Sequence, residues 1–195
     1  DVSTSMGAFL NKLADEIESV DKAGKALNLT VEPHYGLVGF VDDTLFANSS
    51  KPYADVTILK SDFKSWASFT SSNNQTSGGN QNTTWPENSL DSLYRAAKEF
   101  AWRPKASTLR LVIHTTDDTF VQGPTTHNGV QILHNYADSV KALQEEQVRV
   151  FGFASKLGGP LEGDDVSAGW FSPVAGSATI PDATGGGIYQ LDDVM

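Results

Sequence analysis

The chain contains no cysteine in its 195 residues. That excludes thiolate metal sites, cysteine nucleophiles and disulfides together, while leaving the redox compartment open. Basic residues are scarce, 14 Lys and Arg against 24 Asp and Glu, for a net charge of −10. Nucleic acid is therefore not expected as a partner, because its phosphates are met by Lys and Arg. An anionic membrane surface is disfavoured for the same reason. No apolar run is long enough to cross a bilayer, so direct membrane insertion is not expected either. There is no Gly-x-Ser-x-Gly nucleophile elbow, and Gly185–Gly187 has no lysine to make a Walker-type phosphate loop. These gaps exclude thiol, nucleophile-elbow and P-loop chemistry.

What remains is the composition of an ordinary folded protein, 39% apolar and 19% charged. Its length suits a single domain, residues 1–195, burying about 70% of the surface of the unfolded chain. Asn-x-Ser/Thr sequons at Asn28, Asn48, Asn74 and Asn82 point towards an exported chain.

The hydrophobic pattern predicts alternating helices and strands. Phe9, Leu10, Leu13, Ile17 and Val20 mark an amphipathic helix over 7–25. Residues 34–41 (HYGLVGFV) read as a buried strand and 56–59 as a second, short one. Phe63, Trp66 and Phe69 suggest a helix over 62–69. A polar loop spans 70–84, followed by a helix over 89–102. Residues 108–114 (TLRLVIH) are the clearest strand, with their apolar half expected at the centre of the sheet. A helix over 129–146 and strands over 148–154 and 188–191 complete the pattern. The long segment 158–183, rich in Gly, Pro and Asp, reads as a functional or mobile loop. Strands alternating with helices predict right-handed crossovers and a mainly parallel sheet. Ligands of such sheets gather at the carboxyl ends of the strands.

Asp1-Val2-Ser3-Thr4-Ser5 places a carboxylate and two hydroxyls at alternate positions. In an extended segment those side chains share one side. Oxygen donors of this kind suit a hard divalent cation such as Mg²⁺. Two further carboxylates join the candidate set. Asp117 follows the 108–114 strand, where a turn or helix-cap role is the simpler alternative. Glu87 follows Trp85-Pro86, where it can equally serve the positive end of a helix. The Thr83 and Thr84 hydroxyls are alternative ligands from the same loop.

Five segments in this order resemble a known family: DVSTSM (1–6), GFVD (39–42), NTTWPE (82–87), AWRP (101–104) and LRLVIHTTD (109–117). They are similar to the metal-ion-dependent adhesion site of von Willebrand factor A domains. Within that group they look closest to the I-like domain of integrin β subunits. The resemblance covers roughly the first 120 residues; the remainder matches only as a general A-domain pattern. It implies a doubly wound α/β fold, with a mainly parallel central sheet between helices in a three-layer, Rossmann-like arrangement. It implies Mg²⁺, or Mn²⁺ or Ca²⁺ in its place, held by Ser3, Ser5 and Glu87, with Asp1 and Asp117 acting directly or through water. The open coordination position would then take an Asp or Glu carboxylate from a partner protein. Trp85, Asn80 and Thr84 would touch that partner, and an extracellular or cell-surface location follows.

Departures from the family narrow the reading. Gly7, Ala8 and Phe9 stand where integrin β subunits carry the acids of an adjacent regulatory ion, so that site is expected to be absent. A further neighbouring ion would use Asp42, Asn82, the Pro86 carbonyl and Glu87. Thr84 replaces its other carboxylate, so that ion is expected to be weak or missing. With no cysteine, the resemblance points to a bacterial or other non-animal surface protein. The family also has a strand before the first motif and a helix after the last strand; both are expected to be missing from residues 1–195. The alternative function is an A-domain assembly subunit of a metal-dependent enzyme or chaperone-like complex. In a third reading the metal is purely structural. A Ser5–His114–Asp117 triad and a zinc pair of His127 and His134 two helical turns apart are less favoured arrangements.

Overall fold

The computed structural model describes residues 1–28, 31–156 and 165–194. The Asn28 sequon and the 158–183 segment therefore lie partly outside the described residues. Helix α1 (Gly7–Ala26) follows a short 3₁₀ turn, Thr4–Met6. It packs Phe9, Leu10 and Ala14 inward, as the apolar stripe predicts. Strands β1 (Val38–Phe40) and β2 (Thr44–Phe46) form an antiparallel pair, shorter than the strand expected over 34–41.

Helix α2 runs from Val56 to Phe69 and overturns the short strand expected over 56–59. Asp55 caps it by accepting a hydrogen bond from the Thr57 amide. Leu59 and Ala67 are its buried residues, with Phe63 packed between them on the same face. That i, i+4, i+8 row outweighs the β-branched start.

Helix α3 (Ser89–Glu99) stops three residues before the expected end. It leads to β3 (Arg110–Thr116). A hairpin of β4 (Thr125–His127) and β5 (Val130–Ile132) then occupies the start of the helix expected over 129–146. Asn128 and Gly129 sit at φ 45° and 80°. Positive φ at both turn positions suits the Asn-Gly hairpin turn whose twist matches the strands. Helix α4 is Tyr136–Glu145, closed by a capping box between Asn135 and Asp138. Replacing Asn135 with Ala removes this cap. Stability is expected to fall by about 1 kcal/mol, a shift of about 2–4 °C in a calorimetric melting curve.

Strand β6 (Val148–Ala154) pairs in parallel with β3 from Arg110↔Val148 to Thr116↔Ala154. After the short helix α5 (Ile180–Thr184), β7 (Gly187–Gln190) pairs in parallel with the other edge of β6. The sheet order is β3-β6-β7, so β6 is central and β3 lies at an edge. The expectation of a central β3 is thus corrected. Its Leu111 and Ile113 are 43% and 62% exposed. A cleft of about 290 Å³ separates β3 from β1, lined by Leu10, Phe40, Trp66, Leu93 and Phe100 among others. The first residues bridge its end: the Asp1 nitrogen donates to the Thr115 carbonyl and the Val2 amide to the Phe40 carbonyl.

The fold is mixed α/β, with a small parallel three-stranded sheet and helices. Val148, Val150 and Ala154 of β6 join a core cluster with Leu90, Leu93, Leu143, Trp170 and Ile180. Phe153, pointing oppositely along the strand, packs against a second cluster with Val2, Met6, Phe9 and Leu10. Trp170 is fully buried, so the segment read as a loop contributes a core residue. Gly152 lets it approach: a Cβ there would lie 3.2 Å from the indole. Among the described residues no helix is long and apolar enough to cross a membrane.

Candidate metal centre

The opening motif and the end of β3 meet, although they lie more than a hundred positions apart. Asp1 is buried and its carboxylate is held at both oxygens: Oδ1 accepts from the Ser3 amide at 2.8 Å, and Oδ2 accepts from Thr116 Oγ1 at 2.9 Å. Ser3 Oγ lies 3.2 Å from Ser5 Oγ. Ser5 Oγ donates to Asp117 Oδ1 at 3.0 Å. Thr4 Oγ1 donates to Asn73 Oδ1, tying the motif to the polar loop. Ser3, Ser5 and Asp117 thus form one connected row of oxygens, which Asp1 joins through the Ser3 amide. Ser5 is exposed and Asp117 half-buried, so the row opens to solvent at that end.

Glu87 comes from the segment before α3. A bridge to the segment after β3 fixes its backbone: its amide donates to the Thr119 carbonyl and its carbonyl accepts from Val121. Its neighbour Asn88 donates to the Asp42 carbonyl through Nδ2 and caps α3 through Oδ1. Glu87 is 1% exposed. Burial, then the negative charge of Asp42, pushes its carboxyl well above the usual range. Oε1 accepts from Asn82, whereas Oε2 has no hydrogen-bond partner among the described residues. A buried carboxylate oxygen without a donor is costly unless a proton or cation meets it. Glu87 and Asp117 both lie close enough to the Asp1 backbone nitrogen to act on it electrostatically. As the side chains stand, no group of three or more His, Asp or Glu residues among the described ones is gathered tightly enough to hold a metal ion. The candidate set is instead a mixture of carboxylates and two hydroxyls, and its unpartnered oxygen is the feature that fits a cation.

The remaining candidates divide. Thr83 and Thr84 are engaged elsewhere, Thr83 Oγ1 with Asn128 Oδ1 at 2.8 Å and Thr84 Oγ1 with His127 Nε2 at 2.7 Å. Trp85 is 46% exposed beside Glu87, and Asn80 is exposed on the preceding loop. Asp42 is fully buried. Gln75 Nε2 and Asn128 Nδ2 both donate to its Oδ2, while Oδ1 has no hydrogen-bond partner among the described residues.

His114 is stacked between Phe40 and Trp170 at 5.1 and 4.6 Å, with Nε2 3.2 Å from Ser89 Oγ. It takes no part in a relay with Ser5 and Asp117. The zinc pair is also overturned. His127 lies in β4 beside Asp42, whereas His134 precedes α4 and pairs with Asp91 at 2.7 Å. They share no helix.

The structure adds three residues to the neighbourhood: Gln75, His127 and Asn128. The Asn128-Gly129 pair was a readable hairpin signal. Nothing in the sequence tied it to Asp42.

No known protein-family model matches the chain, and no curated protein matches it.

Proposed function

We propose that this is an integrin-like von Willebrand factor A domain that recognises a protein partner through Mg²⁺. The observation that carries the reading is the Ser5–Asp117 hydrogen bond. It joins residues 112 positions apart at the carboxyl end of a parallel strand, where α/β sheets collect their ligands. The unpartnered Oε2 of Glu87 supports a cation there. Ser3, Ser5 and Glu87 would hold the ion, with Asp1 and Asp117 direct or water-linked. When bound, the ion supplies a strong local positive charge for a partner's Asp or Glu carboxylate. The exposed Ser5 end faces that partner. The exposed Trp85, two residues before Glu87, offers an aromatic contact of the kind enriched at binding hot spots.

Helices α3 and α4 share a core cluster with one side of β6, and α1 and α2 share one with the other. This supports the three-layer, doubly wound reading. The reading also carries a non-enzymatic role and a cell-surface location.

Calorimetry on EDTA-stripped protein tests it. One saturable Mg²⁺ isotherm, reproduced with Mn²⁺, is the expected result. A folded protein that takes up neither ion overturns the reading.

A further inference from the structure

The family resemblance implies a second ion beside the first, on Asp42, Asn82, the Pro86 carbonyl and Glu87. Asp42 Oδ1 has no hydrogen-bond partner among the described residues, but the groups gathered at its other oxygen do not fit a cation. Asn128 Nδ2 sits where the oxygens converge, donating to Asp42 Oδ2 and Thr84 Oγ1 at 2.9 Å each and to Asn82 Oδ1 at 3.5 Å. His127 Nε2 lies 2.7 Å from Thr84 Oγ1 and 3.5 Å from Asp42 Oδ1. A cation needs lone pairs in this space, but it meets an amide N–H group instead. Thr84 supplies a neutral hydroxyl, which carries no charge to compete for an ion.

We infer that the tip of the β4–β5 hairpin occupies the place of the second cation. Asn128 and His127 are positioning residues. Asn128 holds Asn82, Thr84 and Asp42 together by donating hydrogen bonds, as a cation would by accepting lone pairs, and His127 shares a hydrogen bond with Thr84. Asn82 in turn donates to Glu87 Oε1 at 2.9 Å, so the hairpin steadies the residue proposed to bind Mg²⁺. Thr83 Oγ1 donates back to Asn128 Oδ1, closing the contact from the other side. The domain then carries one divalent ion, and the 82–87 segment is fastened to the hairpin rather than to a second cation. This rests on the proposed Mg²⁺ site for its effect on affinity, but not for the fastening itself.

Asn128→Gly is the decisive variant. Residue 128 has φ 45°, which glycine adopts freely, so the turn is kept and only the amide is lost. Hydrogen exchange on metal-free protein is expected to speed up in 82–87 while α1 and β6 stay as in wild type. Unchanged exchange in 82–87 overturns the proposal. Calorimetry supplies the second arm. Wild type loaded with Mg²⁺ and then titrated with Ca²⁺ is expected to show no further equivalent. Asn128→Gly is expected to bind Mg²⁺ about tenfold more weakly. A second equivalent in wild type overturns the proposal. If wild type binds no divalent ion at all, the Mg²⁺ reading fails, and the exchange experiment still decides the role of the hairpin.

Discussion

Asp117→Ala is expected to weaken Mg²⁺ binding by at least about 100-fold, the upper range for disturbing groups around a metal. Asp117 is the acceptor that draws Ser5 into line, so its loss removes a carboxylate and frees a hydroxyl ligand at once. Glu87→Ala should weaken binding comparably. Thr84→Val, which disturbs only the hairpin side, should leave a measurable isotherm. Equal effects of all three would point to a general loosening rather than a ligand set. Binding should also release a proton. The Glu87 carboxyl is raised well above its ordinary value, first by burial and then by Asp42, so metal-free protein retains its proton into a range where an exposed Glu has lost it. Mg²⁺ must displace that proton, and its affinity should rise with pH up to the raised value. Calorimetry in buffers of different ionisation enthalpy reads the release directly. Without metal the same group lowers stability as pH rises from about 4.5 through its folded value, because the unfolded chain ionises first. Saturating Mg²⁺ should remove that loss.

Readability in the sequence varied with the origin of each signal. Helices α1 and α3 and strands β3 and β6 carry their own apolar periodicity, and all four form close to where it lies. The start of α2 was obscured by Val56, Thr57 and Ile58, although Asp55 and the Leu59–Phe63–Ala67 row mark the helix. Residues 129–135 carry apolar spacing that runs on into the following helix, so the hairpin there is marked only by its Asn-Gly turn. The oxygens of Asp1, Ser3 and Ser5 are marked as candidates by type and spacing, and Asp117 by its place after the 108–114 strand. Gln75 was not, because a glutamine in a polar loop has no periodicity and gains meaning only from its place against Asp42. The edge position of β3 was hidden for a similar reason: sheet order depends on which strands pair, and no single strand encodes it. Trp170 lay in a segment without local pattern, and its burial is set entirely by what it packs against.

That packing makes Trp170→Ala the most damaging single change expected outside the metal centre. The indole is fully buried, stacks on His114 at 4.6 Å and presses on Gly152. Its truncation should cost about 3–5 kcal/mol, a large share of a typical total of about 5–15 kcal/mol. Trp170→Phe keeps a ring against the imidazole and should recover much of that loss in urea unfolding. The stack also sets an acid limit. Burial holds His114 well below its ordinary value, so the folded protein keeps the ring neutral. The unfolded chain takes up a proton near pH 6.5, and below that pH it binds more protons than the folded state. Stability is therefore complete above about pH 6.5 and is lost as pH falls towards the depressed folded value. The slope approaches about 1.4 kcal/mol per pH unit. This runs opposite to the Glu87 effect, so the two must be separated. His114→Phe keeps an aromatic ring between Phe40 and Trp170 but cannot titrate. Urea unfolding from pH 7.5 to 5 in saturating Mg²⁺ should show the decline in wild type and a flatter curve in His114→Phe. Parallel curves would show that the ring titrates normally, and the stack would then be packing alone.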